Sequence, residues 1–135
     1  MCADKTSLSI LSIDNNGCET SFFTNRDFIL NGSSERFLSE QISAENFRLR
    51  SSHAEYSSGF HVAGDPTLII ILSGILRIEL RSGKYHDFAK GEMFIANDFL
   101  AEDVEFDNTL HGHRAEVVGD QELKALHLKL EKRGV

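Results

Sequence analysis

The sequence lacks the features that mark several broad classes of protein. Its two cysteines, Cys2 and Cys18, lie neither in a C-x-x-C pair nor beside paired histidines, which excludes the common zinc-knuckle and dithiol redox patterns. Both are expected to be free thiols in a reducing compartment. No apolar run approaches the ~20 residues of a membrane helix, and no basic segment leads into a hydrophobic one at the N-terminus. A cytoplasmic protein is expected. Basic residues are scarce as well: 14 Lys and Arg stand against 21 Asp and Glu, a formal charge of -7. Such a surface repels phosphate backbones and anionic lipid headgroups, so neither nucleic acid nor a membrane is expected as a partner. There is no tryptophan, no internal repeat, no low-complexity tract and no long stretch of helical periodicity.

What is present is enough for one domain with a core of its own: 135 residues, 41% hydrophobic, with ten phenylalanines. Leu8 to Ile13 reads as a short strand, Asp14-Asn15-Asn16-Gly17 as a turn, and Thr20 to Thr24 as the return strand of a hairpin. Asn31 to Ser43 is polar and is expected to be a loop with one helical turn capped near Gly32-Ser33-Ser34. In Ala44 to Tyr56, Phe47 and Leu49 alternate with Asn46, Arg48 and Arg50, the pattern of a half-exposed strand. Arg48, Arg50, Arg77 and Arg81 are expected to be outer-face charges that protect strand edges.

The clearest text runs from Phe60 to Ala96. Leu68 to Leu72 is apolar on both faces and must be covered on both, by the N-terminal segment or by a second subunit; a homodimer is expected. After the Ser73-Gly74 turn, Leu76, Ile78 and Leu80 share one face while Arg77, Glu79 and Arg81 share the other, the period of a sheet with one wet side. Ala89-Lys90-Gly91-Glu92 is a tight turn before a buried strand, Met93 to Ala96. The acidic stretch from Ala101 to Asp107 is expected to be a solvated edge. Two strands close the chain, Ala115 to Val118 and Leu123 to Leu130, the latter with Leu126, Leu128 and Leu130 on one face and His127 opposite. His53, His86 and His127 are expected to be surface or sheet residues. Roughly eight to eleven strands with regular turn spacing predict an all-β, closed or sandwich-like antiparallel barrel.

Several of these elements together resemble the cupin superfamily. The resemblance rests on Leu72-Ser73-Gly74 before an alternating strand, on Gly83, on Ala89-Lys90-Gly91-Glu92 in place of a Pro-Gly-Asp turn, and on a distal histidine strand at His113. A group of small, single-domain, uncharacterised cupins is closer still, through Phe60-His61-Val62-Ala63-Gly64, Asp98, Gly112-His113, and the stretches Asp14 to Phe22 and Leu38 to Ala44. The resemblance implies a single-domain jelly-roll barrel, the double-stranded β-helix, over residues 46–135. Residues 1–45 would pack on it as N-terminal strands and a loop.

The same resemblance implies where a site would lie. Metal-binding cupins place His-x-His and a following Glu in a first motif and one more His in a second. Here His61 and His113 stand at matching positions, while Ala63 and Thr67 replace two of the usual ligands. Asp98, at the end of an inner strand, and His111, two residues before His113 and of the same parity, are the residues that would complete a set. The expected metal ligands are therefore His61, His111, His113 and Asp98, for a divalent transition metal such as Fe, Mn, Ni or Zn. Phe60, Thr67 and Asp98 are the expected ligand-pocket residues, and His61 and His113 the catalytic candidates. Two functions follow: a small organic molecule bound in the barrel beside a degenerate metal site, or a metal-dependent enzyme of oxygenase, isomerase or lyase type. A cyclic-nucleotide site, prompted by Gly91-Glu92, lacks the following short helix and a phosphate-gripping arginine.

Overall fold

The computed structural model describes residues 4–132, so Cys2 lies outside the described residues, while Cys18 is free and exposed. Ten strands follow one another: β1 (Asp4–Asp14), β2 (Phe22–Ser33), β3 (Arg36–Leu38), β4 (Ala44–Ser52), β5 (Thr67–Ser73), β6 (Ile75–Leu80), β7 (Tyr85–Phe88), β8 (Met93–Ala96), β9 (His113–Val118) and β10 (Leu123–Leu130). There is no helix among the described residues, and hence none long and apolar enough to cross a membrane. The helical turn expected within 31–43 is absent. That polar stretch instead carries the end of β2 and the short β3, paired through Asn31 with Leu38 and Ser33 with Arg36.

The strands form a seven-stranded sheet in the order β3-β2-β1-β8-β5-β10-β4 and a three-stranded sheet in the order β7-β6-β9. The protein is all-β, as the turn spacing predicts, but the sheets are not closed into a barrel by a continuous ladder. Nor is the larger sheet purely antiparallel. β1 runs parallel to β8, with Leu11, Ser12 and Ile13 beside Phe94, Ile95 and Ala96. A parallel neighbour requires a long crossover, which the whole chain between these strands supplies. The N-terminal strands are thus members of the main sheet.

One core fills the space between the sheets. Ile13, Ile69, Ile71, Phe94, Ala96, Leu123 and Ala125 face inward from the larger sheet, and Leu76, Ile78, Leu80, Phe88, Ala115 and Val117 from the smaller. Phe88 and Phe94 stack across the gap with ring centroids 4.4 Å apart. In β6 the period of two is realised: Leu76, Ile78 and Leu80 are buried, and Arg77 faces outward to pair with Asp87 at 2.8 Å. β10 departs from its expected phase. Leu123 and Ala125 are fully buried, and His127, two residues on, shares their inner face, while Leu128 and Leu130 lie together on the opposite face.

Candidate functional site

The connection from β4 to β5 runs along the inner edge of the smaller sheet. Ser58 N–H donates to the Ala115 carbonyl at 2.8 Å, and His61 and His113 exchange both backbone hydrogen bonds at 2.9 Å. In such an antiparallel pair the opposed side chains leave the same face, and the two imidazole rings lie 4.7 Å apart, centre to centre. Gly112 permits the approach. Its φ is +91°, and a Cβ there would sit 2.5 Å from the His61 carbonyl oxygen, so an L side chain would be both strained and in collision.

Behind His113 lies Asp98, fully buried at 0% exposure. Its Oδ2 accepts hydrogen bonds from Ser21 Oγ at 2.6 Å and from His113 Nδ1 at 2.7 Å, and its Oδ1 accepts the Ala63 N–H at 3.0 Å. Burial opposes ionisation of a carboxyl group. The hydrogen bond and proximity of His113, then those of Ser21 and Ala63, outweigh it and hold the Asp98 carboxyl below its ordinary value. A carboxylate accepting at Nδ1 fixes the His113 tautomer and leaves the Nε2 lone pair outward. No side chain or backbone group among the described residues bonds that Nε2.

His61 occupies the rim. Its Nδ1–H donates to the Gly59 carbonyl at 3.0 Å, so its Nε2 is likewise an acceptor. Desolvation on the inner side of the ring, aided by His113 and Arg50, lowers the His61 pKa against the opposing pull of the Gly59 carbonyl and Asp98. Both rings open on a cavity of about 160 Å³ between the two sheets. Ile69, Leu76, Ile78, Phe94, Ala96 and Ala115 make its apolar wall, and Arg50, His61, Thr67, His113 and His127 supply its polar groups. A mostly apolar hollow with a few converging polar groups is the general form of a small-molecule site. Chemically, the His113 Nε2 can accept a hydrogen bond from a molecule in the hollow while Asp98 holds the ring in orientation through Nδ1.

The expected site residues divide. His61, Thr67 and His113 line the cavity, and Asp98 supports it from behind. Phe60 does not line it; its ring lies under the Arg81 guanidinium, 3.8 Å from the carbon to the ring centroid. His111 is drawn away by its own bonds. Its Nδ1 accepts the Asp107 N–H at 2.9 Å and its Nε2–H donates to the Cys18 carbonyl at 2.8 Å, which pins the acidic loop to the turn after β1. With both nitrogens used, His111 is a clamp and has no lone pair for an ion. Ala63 and Thr67 provide no ligand of their own, and Asp98 is committed to three donors. Among the described residues no three His, Cys, Asp or Glu side chains converge to hold a metal ion, so the donor set does not fit a cupin-type centre.

Two cavity residues were not anticipated. His127 lies on the inner face of β10, and its Nε2 is buried with no hydrogen-bond partner among the described residues. Burial, reinforced by Arg50 and Arg48, lowers its pKa. Arg50 projects from β4 into the same hollow. The signal for His127 was its parity with Ala125, a small residue in an otherwise leucine-rich strand. For Arg50 periodicity offered nothing, since Phe47 and Leu49 argue for the opposite orientation.

No protein-family model matches the sequence, and no curated protein matches it. Among solved structures, the chain is similar to a conserved protein of unknown function, SPY1581, from Streptococcus pyogenes, at 14% identity and a TM-score of 0.44, covering 70% of this chain and 69% of that one. It is also similar to protein NMB1881 from Neisseria meningitidis, at 15% identity and a TM-score of 0.45, covering 68% of this chain and 84% of that one.

Proposed function

We propose that this is a small cupin-like protein of the jelly-roll type that binds a small organic molecule in the cavity between its sheets. The observation that carries the reading is the cavity: an apolar wall against which Arg50, His61, Thr67, His113 and His127 converge. Its test is the melting temperature of the purified protein against a panel of small organic acids, alcohols and amides, repeated in Ala115→Leu. Ala115 lines the cavity, so the added side chain fills it. A true ligand raises the wild-type Tm by mass action and loses that effect in the variant. Equal shifts in both proteins place binding elsewhere and sink the reading. Stoichiometric Fe, Mn, Ni or Zn in the purified protein, lost in His61→Ala or His113→Ala, would move it to the metal-dependent enzyme.

A homodimer belongs to the same proposal. On the outer face of the larger sheet Leu68 and Ile70 are only partly covered, and Phe47, Leu49 and Leu72 are 63%, 69% and 45% exposed. Apolar exposure of this kind on a sheet face marks an interaction surface, and light scattering that returns a monomer mass would refute the dimer.

A further inference from the structure

Strand β4 is built inside out. Its apolar Phe47 and Leu49 face solvent, whereas Arg50 turns inward to the cavity, at a position where a strand normally presents a hydrophobic side chain. Among the described residues Arg50 has no carboxylate partner. Its one hydrogen bond, from Nε to Ser52 Oγ at 3.0 Å, engages a single donor of the guanidinium, and the Tyr56 ring supports the group 5.1 Å away. His127 is its diagonal neighbour across the β4–β10 ladder, where Ala125 pairs with Arg50 and His127 with Arg48. A buried ring nitrogen left without a partner in a folded protein points to a group that completes it. No carboxylate lines the cavity to serve either residue.

We propose that the cavity selects small organic carboxylates, with the oxygens held by the Arg50 fork and the His127 Nε2–H, and the apolar remainder against Ile69, Leu76, Ile78 and Phe94. A planar guanidinium matches a carboxylate with two parallel hydrogen bonds. The apolar wall distinguishes this ligand from inorganic phosphate, whose further oxygens would be stranded against hydrocarbon. The volume of about 160 Å³ equals on the order of five waters, which suits a short-chain or single-ring acid. This assignment rests on the small-molecule reading above and narrows it to one class.

The experiment titrates the full chain with butyrate, hexanoate and benzoate, with butanol, hexanol and benzyl alcohol as matched uncharged probes, and with inorganic phosphate. Binding is read from the His127 imidazole resonances and from Tm. Carboxylates are expected to bind at least about tenfold tighter than the matched alcohols, as a charge-assisted pair warrants, and Arg50→Gln should bring that ratio close to one. Circular dichroism checks that the variant folds, and Arg50→Lys, which keeps the charge without the fork, carries the test if it does not. Alcohols that bind as tightly as carboxylates would overturn the carboxylate assignment and leave the small-molecule reading standing. So would phosphate binding that equals hexanoate, or an undiminished ratio in a folded Arg50→Gln. Failure of every probe to bind would sink both.

Discussion

Asp98 is the most informative position to perturb, because two substitutions there separate its contribution to folding from its control of the His113 proton. Asp98→Ala deprives three buried or part-buried donors of their acceptor: the Ser21 hydroxyl, His113 Nδ1–H and the Ala63 N–H. Leaving a buried donor unmade costs about 1–3 kcal/mol each, and since the hydroxyl can rotate and the imidazole can change tautomer, the lower part of the range applies, about 3–5 kcal/mol in all. Against a typical total stability of about 5–15 kcal/mol, that loss places the variant near the edge of folding. Asp98→Asn is different. The amide oxygen can still accept from Ala63, and the amide NH₂ can donate to Ser21 Oγ and to His113 Nδ1, provided that His113 moves its proton to Nε2. The expected cost is about 1–2 kcal/mol, the loss of charge assistance in the bonds that remain. Urea denaturation supplies both free energies, and ¹⁵N spectra of the imidazoles report which nitrogen of His113 carries the proton. The reasoning fails if Asn and Ala are equally destabilising, or if His113 keeps its Nδ1 proton in Asp98→Asn.

Two further outcomes follow from the same geometry. Gly112→Ala should cost at least about 2 kcal/mol, because it combines a left-handed backbone with a collision on the His61 carbonyl; a wild-type urea midpoint would refute that account. The His61 and His127 pKa values are both lowered by folding. The unfolded chain therefore takes up protons near pH 6.5, where the folded rings resist them. Stability is then full above that pH and falls as pH drops through it toward the lower folded values. The double variant His61→Gln/His127→Gln should flatten the Tm profile between about pH 7 and pH 5, and an unchanged slope would show that other groups carry it.

How far the amino-acid text foretells the molecule can be judged strand by strand. Where one face of a strand is buried and the other wet, as in β6, the alternation of Leu76, Ile78 and Leu80 with Arg77 and Glu79 is sufficient. β1 and β2 read poorly because their outer halves are held by pairing more than by burial. Their ladder runs from Asp4 and Gly32 to Asp14 and Phe22, and β2 extends well past the expected return strand, through residues with no consistent period. The site was legible where a residue carries its own chemistry, at His61, Asp98 and His113. It was not legible where orientation decides. β10 buries the face of Leu123 and Ala125, which carries His127 with it, and an inverted edge strand turns Arg50 inward. His111 shows the opposite error: parity placed it with His113, while the backbone carbonyl of Cys18 claimed its ring.

The parallel pairing of β1 with β8 also governs how the chain must assemble. On the edge of β1 away from Asn25 in β2, Leu11 pairs with Phe94, so the β1–β2 hairpin keeps that edge unpaired until the distant β8 docks. Contacts so distant in sequence delay the reward for closing the intervening loop, and topologies rich in them fold slowly. Until β8 docks, the inward side of β1, with Leu11 and Ile13, presents an unpaired apolar strand edge of the kind that recruits other chains. The rate at which β8 reaches that edge, more than the hairpin's own formation, sets the interval during which this protein is vulnerable to misassembly.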